Sequence, residues 1–247
     1  MADPRRDEIV SGLTRVRARI AAGCLAVGRD PAEVTLIAVT KTYPVADIAR
    51  LVQLGVTDIG ENRDQEAAGK AAELAAAGVV VRWHFVGQLQ RNKCRSVVTY
   101  ADLVHSVDSV ALARTLDREA QRGRDSPLDV LLQVSLDGDP ERGGVVAGGA
   151  GSAAVADPDR DLDRVLAAVT GSAALRLRGV MAVAPPAWDP DPAFALLTDL
   201  AVRVRTVEPA ATIVSAGMSG DLEPALAHGA THVRVGGALL GKRPIVR

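Results

Sequence analysis

Lys41 closes the apolar run Val34-Thr35-Leu36-Ile37-Ala38-Val39-Thr40, a pattern that predicts a β-strand with a primary amine at its C-terminal end. An amine held there is positioned for covalent chemistry with a carbonyl, provided that partial desolvation or a nearby cation lowers its pKa enough to supply the free base. Near the other end of the chain, Ser215-Ala216-Gly217-Met218-Ser219 and Arg234-Val235-Gly236-Gly237-Ala238 follow two further short apolar runs. Both segments can bring backbone N–H groups up to an anion. Gly217, Met218 and Ser219, with a hydroxyl from Ser215 or Ser219, would line one side, and Gly236 and Gly237, opening a last helix, the other. Most strand-end lysines reach into solvent and most glycines after strands make turns, so neither half says much alone. Together they suggest a Schiff-base lysine facing a phosphate cradle.

The elements that must hold these residues alternate along the chain. Ile9, Leu13, Val16, Ile20, Cys24 and Val27 share one face of a first helix, which Gly28-Arg29-Asp30-Pro31 ends. After the Lys41 strand, short strands are expected within residues 55–60, 82–87, 103–107, 128–135, 175–183, 212–215 and 231–235, with helices between them. Residues 137–158, rich in glycine and alanine and without periodicity, read as a mobile loop inside one domain. Eight strands with intervening helices point to an α/β fold, a single (β/α)8 TIM-type barrel over residues 1–247 with an extra N-terminal helix; an open doubly wound sheet is the alternative. In a barrel the active face lies at the C-terminal strand ends, and phosphate sites commonly follow strands seven and eight. Closure would also set strand eight beside strand one. Arg234 would then be the cation near Lys41, against the plainer reading of a surface ion pair.

Other residues carry two readings each. Asn62, just past the second strand, can hydrogen-bond a ring hydroxyl beside the imine or cap the helix that follows. His84 lies in an apolar strand, where a hydrogen-bonded core histidine is commoner than a catalytic base. Met181 fills the barrel or walls a cofactor pocket. Arg91-Asn92-Lys93-Cys94-Arg95 is a solvated helix face or an anion site, and Cys94, although flanked by cations, reads as unreactive.

Composition narrows the classes. The 247 residues are 48% hydrophobic and carry 29 basic against 30 acidic side chains, so no field favours a nucleic-acid backbone, and aromatic residues for base stacking are nearly absent. No apolar signal or membrane-spanning run is evident, which leads to the expectation of a cytoplasmic protein. Cys24 and Cys94 are too few for a disulfide framework or zinc site, and the four histidines lack the spacing of metal ligands; no metal is expected.

Taken in order, Ala38-Val39-Thr40-Lys41-Thr42, Gly60-Glu61-Asn62, Trp83-His84-Phe85-Val86-Gly87-Gln88-Leu89-Gln90-Arg91-Asn92-Lys93, Arg178-Gly179-Val180-Met181, Gly217-Met218-Ser219 and Arg234-Val235-Gly236 closely resemble the pyridoxal phosphate homeostasis protein family, also called the YggS/PROSC family. The resemblance covers nearly the whole chain. It implies a barrel like the N-terminal domain of alanine racemase, with pyridoxal 5'-phosphate (PLP) held as a Schiff base on Lys41. It further implies phosphate contacts from Ser215, Gly217, Gly236 and Gly237, with Arg234 facing the pyridine nitrogen. Asn62, His84, Met181, Met218 and Ser219 complete the expected cofactor site. The chain departs from the family's common pattern at Gly237 (often threonine), Arg63 (often tyrosine) and Arg142 (often lysine).

The family is regarded as a carrier and regulator of free PLP, with PLP-dependent apoenzymes as conceivable transient recipients and no robust turnover. An arginine beside the ring nitrogen disfavours its protonation and makes the ring a poorer electron sink. Racemisation needs an acid/base group on each face of the substrate, and Tyr43 and Tyr100 are the only tyrosines. A PLP-binding homeostasis protein, monomeric because no second domain follows the barrel, is therefore the leading expectation. A PLP-dependent racemase-like enzyme comes second, and a class I aldolase whose Lys41 attacks a sugar phosphate third.

Overall fold

The computed structural model describes residues 3–148 and 156–241. Residues 149–155 of the loop expected at 137–158, and residues 242–247, lie outside them. The first helix, α1, spans Pro4–Ala26; the Asp3 carboxylate accepts from the Arg6 N–H at its start and Pro4 occupies the first turn, where its missing N–H costs nothing. Ile9, Leu13, Val16, Ile20 and Cys24 of its apolar stripe are buried, whereas Val27, expected on the same face, lies past the last turn as the C-cap and is exposed. Gly12 and Gly23 let it lie close on the last two helices, and Arg29 donates to the carbonyls of Leu226 and Ala230.

After α1 the chain alternates: β1 Thr35–Val39, α2 Val45–Gln53, β2 Asp58–Glu61, α3 Asp64–Ala76, β3 Arg82–Phe85, α4 Cys94–Tyr100, β4 Leu103–Val107, α5 Val110–Gly123, β5 Leu128–Gln133, α6 Leu162–Thr170, β6 Leu175–Met181, α7 Pro190–Val207, β7 Ile213–Ser215, α8 Leu222–Ala227, β8 His232–Val235 and α9 Gly237–Leu240. The strands form one closed parallel barrel in sequence order. Its seam pairs Ile37 with Arg234 and Ala38 with Val235, so the open-sheet alternative is set aside. Parallel strands joined through helices are covered on the outside, and most buried apolar residues, from Ile9 to Leu240, belong to one layer between strands and helices. Inside the barrel the alternating side chains form a separate small apolar cluster of Leu103, Leu131, Met181 and Ile213.

Two local outcomes bear on the site. Residues flanking the described gap are anchored rather than loose: Val145 bridges Val134, Val146 bridges Asp161, and the Arg142 guanidinium donates to the carbonyls of Val183 and Ala184. Cys94 points inward, and burial pushes its thiol up to about 12, which suits the unreactive reading despite its basic neighbours. Among the described residues no helix is long and apolar enough to cross a membrane, and no three His, Cys, Asp or Glu side chains gather as metal ligands.

Candidate functional site

Lys41 leaves β1 at the C-terminal mouth of the barrel, half-buried, and makes no hydrogen bond or ion pair with the described residues. The backbone around it is tightly held. The Thr40 N–H donates to the Gly60 carbonyl (3.0 Å), the Thr40 hydroxyl donates to Glu61 Oε1 (2.6 Å), and the Thr42 N–H donates to Glu66 Oε1 (2.6 Å). Thr42 has φ 69°, the left-handed region that a β-branched residue enters at a cost on the order of 1–3 kcal/mol. That strain is held in place by the neighbouring buried lysine. Lys70, on the inner face of α3 with Ala67 and Leu74, directs Nζ to the Thr40 carbonyl (2.8 Å), Glu61 Oε1 (2.7 Å) and Glu66 Oε1 (2.7 Å). All three ammonium protons have acceptors. Burial raises the Glu61 pKa overall, although the bonds from Lys70 and Thr40 oppose that; Glu66, less buried, is lowered on balance because its bonds to Lys70 and Thr42 outweigh desolvation.

Arg234, on β8, is buried with its guanidinium inside the barrel. Nη1 donates to the Ser215 hydroxyl oxygen (2.7 Å) and Nη2 to the Ala182 carbonyl (2.8 Å), while its own N–H donates to the Gly217 carbonyl (2.9 Å). Burial lowers its pKa to about 10. Arg234 is thus an interior cation at the β7–β8 end, not a member of a surface ion pair. Ser215 is fully buried, and its hydroxyl lies between Arg234 and His105 Nδ1 (3.0 Å). It is therefore spent inside the barrel and not turned toward an anion, which differs from the sequence expectation. Met181, opposite Ser215 in the ladder, belongs to the interior apolar cluster, so the barrel-filling reading holds.

The glycine segments meet the requirement for close backbone approach. Gly217 has φ 89°, and a Cβ there would come within 2.7 Å of Ala225; a Cβ on Gly236 would stand 3.2 Å from the Val39 carbonyl oxygen. Gly236 and Gly237 open α9, where first-turn N–H groups lack helical acceptors. The Met218 N–H departs from expectation: it donates to Asp221 Oδ1 (2.6 Å), which removes it from the anion-binding set. Among the described residues the Ser219 hydroxyl has no hydrogen-bond partner, while its carbonyl accepts from Arg19 (2.9 Å).

Asn62 fits a bound polar ring. Its Oδ1 is buried without a partner among the described residues, and an amide can turn to present either its oxygen or its NH2 group to a ring hydroxyl. The helix-cap reading fails, because Arg63 occupies the cap of α3 and no side chain caps it. A cavity of about 520 Å3 opens beside Asn62, between α3 and the β3–α4 connection, with Glu66, Gln88 and Lys93 in its wall. His84 is the clearest mismatch with a ligand role. Nε2 meets Asp58 Oδ1 (2.9 Å) and Nδ1 meets His105 Nε2 (2.9 Å), so both ring nitrogens are taken within the barrel. It is the hydrogen-bonded core histidine that its strand pattern favoured.

Sequence reasoning missed the Thr40–Glu61–Glu66–Lys70 cluster and the His105 partner of Ser215. Both left a trace. Lys70 sits at i+3 from Ala67 and i+4 from Glu66, on the face that α3 buries, and His105, with Ser106, interrupts the apolar residues of β4.

Similarity to known proteins follows the same geometry. Residues 26–244 match the family described as alanine racemase, N-terminal domain. The pyridoxal phosphate homeostasis protein of Mycobacterium tuberculosis H37Rv is 44% identical over 97% of this chain and 94% of its own length. The chain belongs to the pyridoxal phosphate homeostasis protein family. PipY of Synechococcus elongatus PCC7942, a solved structure with PLP bound, superposes with a TM-score of 0.71 at 34% identity, covering 90% of this chain and 100% of that one. An alanine racemase from Clostridium difficile 630 superposes with a TM-score of 0.68 over 97% of this chain and 58% of that one; at 13% identity it supports the barrel alone. The homeostasis family and the racemase thus share an architecture, while the full-length likeness is to the homeostasis family.

Proposed function

We propose that this protein binds PLP as a Schiff base on Lys41 and serves intracellular PLP homeostasis as one barrel domain over residues 1–247. The observation that carries the reading is the pairing of a half-buried lysine at the mouth of β1, without a partner among the described residues, with a buried arginine on the adjoining β8. Bound PLP supplies an aldehyde for the lysine amine and a phosphate anchor. The chain's own residues do the rest. Arg234, held by Ser215 and Ala182, would face the ring nitrogen as a donor, which would disfavour its protonation; Asn62 would offer its side-chain amide to the ring hydroxyl. Gly217, Ser219, Gly236 and Gly237 supply N–H and hydroxyl donors to the phosphate, with Met218 and Ser215 supporting this set from behind. Met181 and His84 shape the barrel beneath the ring.

A carrier suits these surroundings better than a racemase. The Tyr43 hydroxyl donates to the Gly241 carbonyl (2.7 Å), and the Tyr100 phenol lies against Asp64 with its pKa pushed up by burial, so neither is presented as a second acid/base. PLP-dependent apoenzymes are the partners this role implies, with the protein acting in the cytoplasm as a monomer. The test compares visible absorption of wild type and Lys41→Ala loaded with PLP and freed of unbound cofactor. A retained band in wild type alone is expected. A band in both, or in neither, would overturn the assignment of Lys41. Steady loss of optical rotation from an enantiopure amino acid would overturn the carrier role in favour of the racemase.

A further inference from the structure

A continuous line of hydrogen bonds crosses the barrel from its floor to the proposed cofactor side. It begins at Asp58, the first residue of β2, whose carboxylate borders a floor cavity of about 470 Å3. It runs through His84 on β3 (2.9 Å), His105 on β4 (2.9 Å) and Ser215 on β7 (3.0 Å), and ends on Arg234 of β8 (2.7 Å). We propose that Asp58, acting only as an acceptor, fixes the direction of every proton in this line and so positions Arg234 from the opposite end of the barrel.

The argument is one of proton counting. A carboxylate has no proton to give, so His84 must donate to it through Nε2–H. A neutral imidazole carries one proton, which leaves His84 Nδ1 an acceptor; it must receive from His105 Nε2–H. His105 Nδ1 is then an acceptor in turn, and only the Ser215 hydroxyl can supply its proton. The Ser215 oxygen is left with its lone pairs facing the Arg234 guanidinium. Both imidazoles are held neutral. Burial, the largest influence on each, lowers the His84 pKa against the pull of Asp58, and lowers that of His105 well below the ordinary value, with the Arg234 charge adding repulsion. Asp58 itself is lowered: burial opposes ionisation, but the His84 hydrogen bond and the charges of Arg82 and His232 outweigh it.

The far end agrees. Were the line reversed, Ser215 would accept from both His105 and Arg234, and its hydroxyl proton would be buried with no described acceptor. Leaving such a group unpaired is unfavourable. Two independent constraints, one at each end, therefore select the same direction. Asp58 is a positioning residue that touches nothing at the mouth.

The direction of the line stands without any ligand, whereas its consequence for the ring nitrogen rests on the PLP reading; the experiment separates the two. Long-range proton–nitrogen NMR spectra of unliganded protein report which imidazole nitrogen carries the proton, and with four histidines in the chain the signals can be assigned. In wild type both His84 and His105 are expected as Nε2–H tautomers. Ser215→Ala removes the far constraint and should leave both unchanged, whereas Asp58→Ala/Ser215→Ala removes both constraints and should give mixed tautomers. An Nδ1–H signal from either ring in wild type, or unmixed Nε2–H signals in the double variant, would overturn the proposal. PLP affinity then tests the consequence. Asp58→Ala leaves the direction to the Ser215 end but takes the acceptor from His84 Nε2–H, so the line loses its anchor at the floor and binding should weaken roughly three- to tenfold, the worth of one weakened hydrogen bond; Asp58→Asn, which keeps an acceptor, should restore it. Correct tautomers with unchanged affinity in Asp58→Ala would overturn the link to Arg234. Absence of PLP binding in wild type would count against the functional reading and leave the tautomers to decide the rest.

Discussion

Lys41 and Lys70 stand on either side of Thr40, and their surroundings assign them opposite roles. Lys70 is buried, with its ammonium protons taken by the Thr40 carbonyl and the carboxylates of Glu61 and Glu66. Lys41 is half-exposed at the barrel mouth, with no partner among the described residues. A lysine whose three protons are all bound to acceptors has its amine occupied; one without acceptors keeps its amine open to a carbonyl. Partners, not burial alone, separate the structural amine from the chemical one. The buried lysine also serves the exposed one, because the carbonyl and carboxylates it gathers hold the strained turn from Thr40 to Thr42.

The largest expected effect breaks the comparison on the Lys41 side. Lys41→Ala should abolish retention of PLP while leaving the denaturation midpoint nearly unchanged, since a partly exposed side chain without partners contributes little to stability. Lys70→Met should do the reverse. It leaves Glu61 as a buried unpaired charge, a loss of about 3–5 kcal/mol in denaturant titrations. Adding Glu61→Gln should recover much of that, because the cost lies in the stranded charge. A Lys70→Met protein as stable as wild type would show that the cluster does not hold the turn.

Acid should find a third region first. Burial holds the His232 imidazole at about 4 against an ordinary 6.5, and His84 and His105 are lowered as well. The unfolded chain therefore takes up protons that the folded one refuses. This stability is complete above about pH 6.5 and is lost as the pH falls toward 4, on the order of 3 kcal/mol for His232 alone. In the Lys70 cluster the raised Glu61 and lowered Glu66 work against each other. Denaturation midpoints between pH 7 and 4.5 should thus drop less in His232→Gln, and keep the wild-type slope in Lys70→Met/Glu61→Gln. The smallest effect belongs to the Arg19–Glu223 pair, which is more than a third exposed on both sides; Arg19→Ala should cost at most about 1 kcal/mol, and less at high salt.

The barrel was legible because its signal is repetitive. Each strand is a short apolar run, each helix carries an apolar stripe, and eight such units close in one way. The position of Lys41 and the neighbourhood of β1 and β8 followed from that closure. What failed to show was which way polar groups face once inside. Ser215 was expected at an anion but turns to Arg234 and His105, and the Met218 N–H was expected free but meets Asp221. Both depend on partners remote in sequence or on the pitch of one turn, and neither leaves a periodic trace. Asp58 is the extreme case. At the head of β2 it looks like an ordinary loop-edge carboxylate, and only the packing of five strands makes it the start of a line of protons.

The most direct test of the contrast between the two lysines is borohydride reduction of the PLP-loaded protein, followed by peptide mass mapping. One pyridoxyl group on the peptide containing Lys41, with the Lys70 peptide unmodified, is the expected result. A pyridoxyl group on Lys70, or none on Lys41, would contradict it.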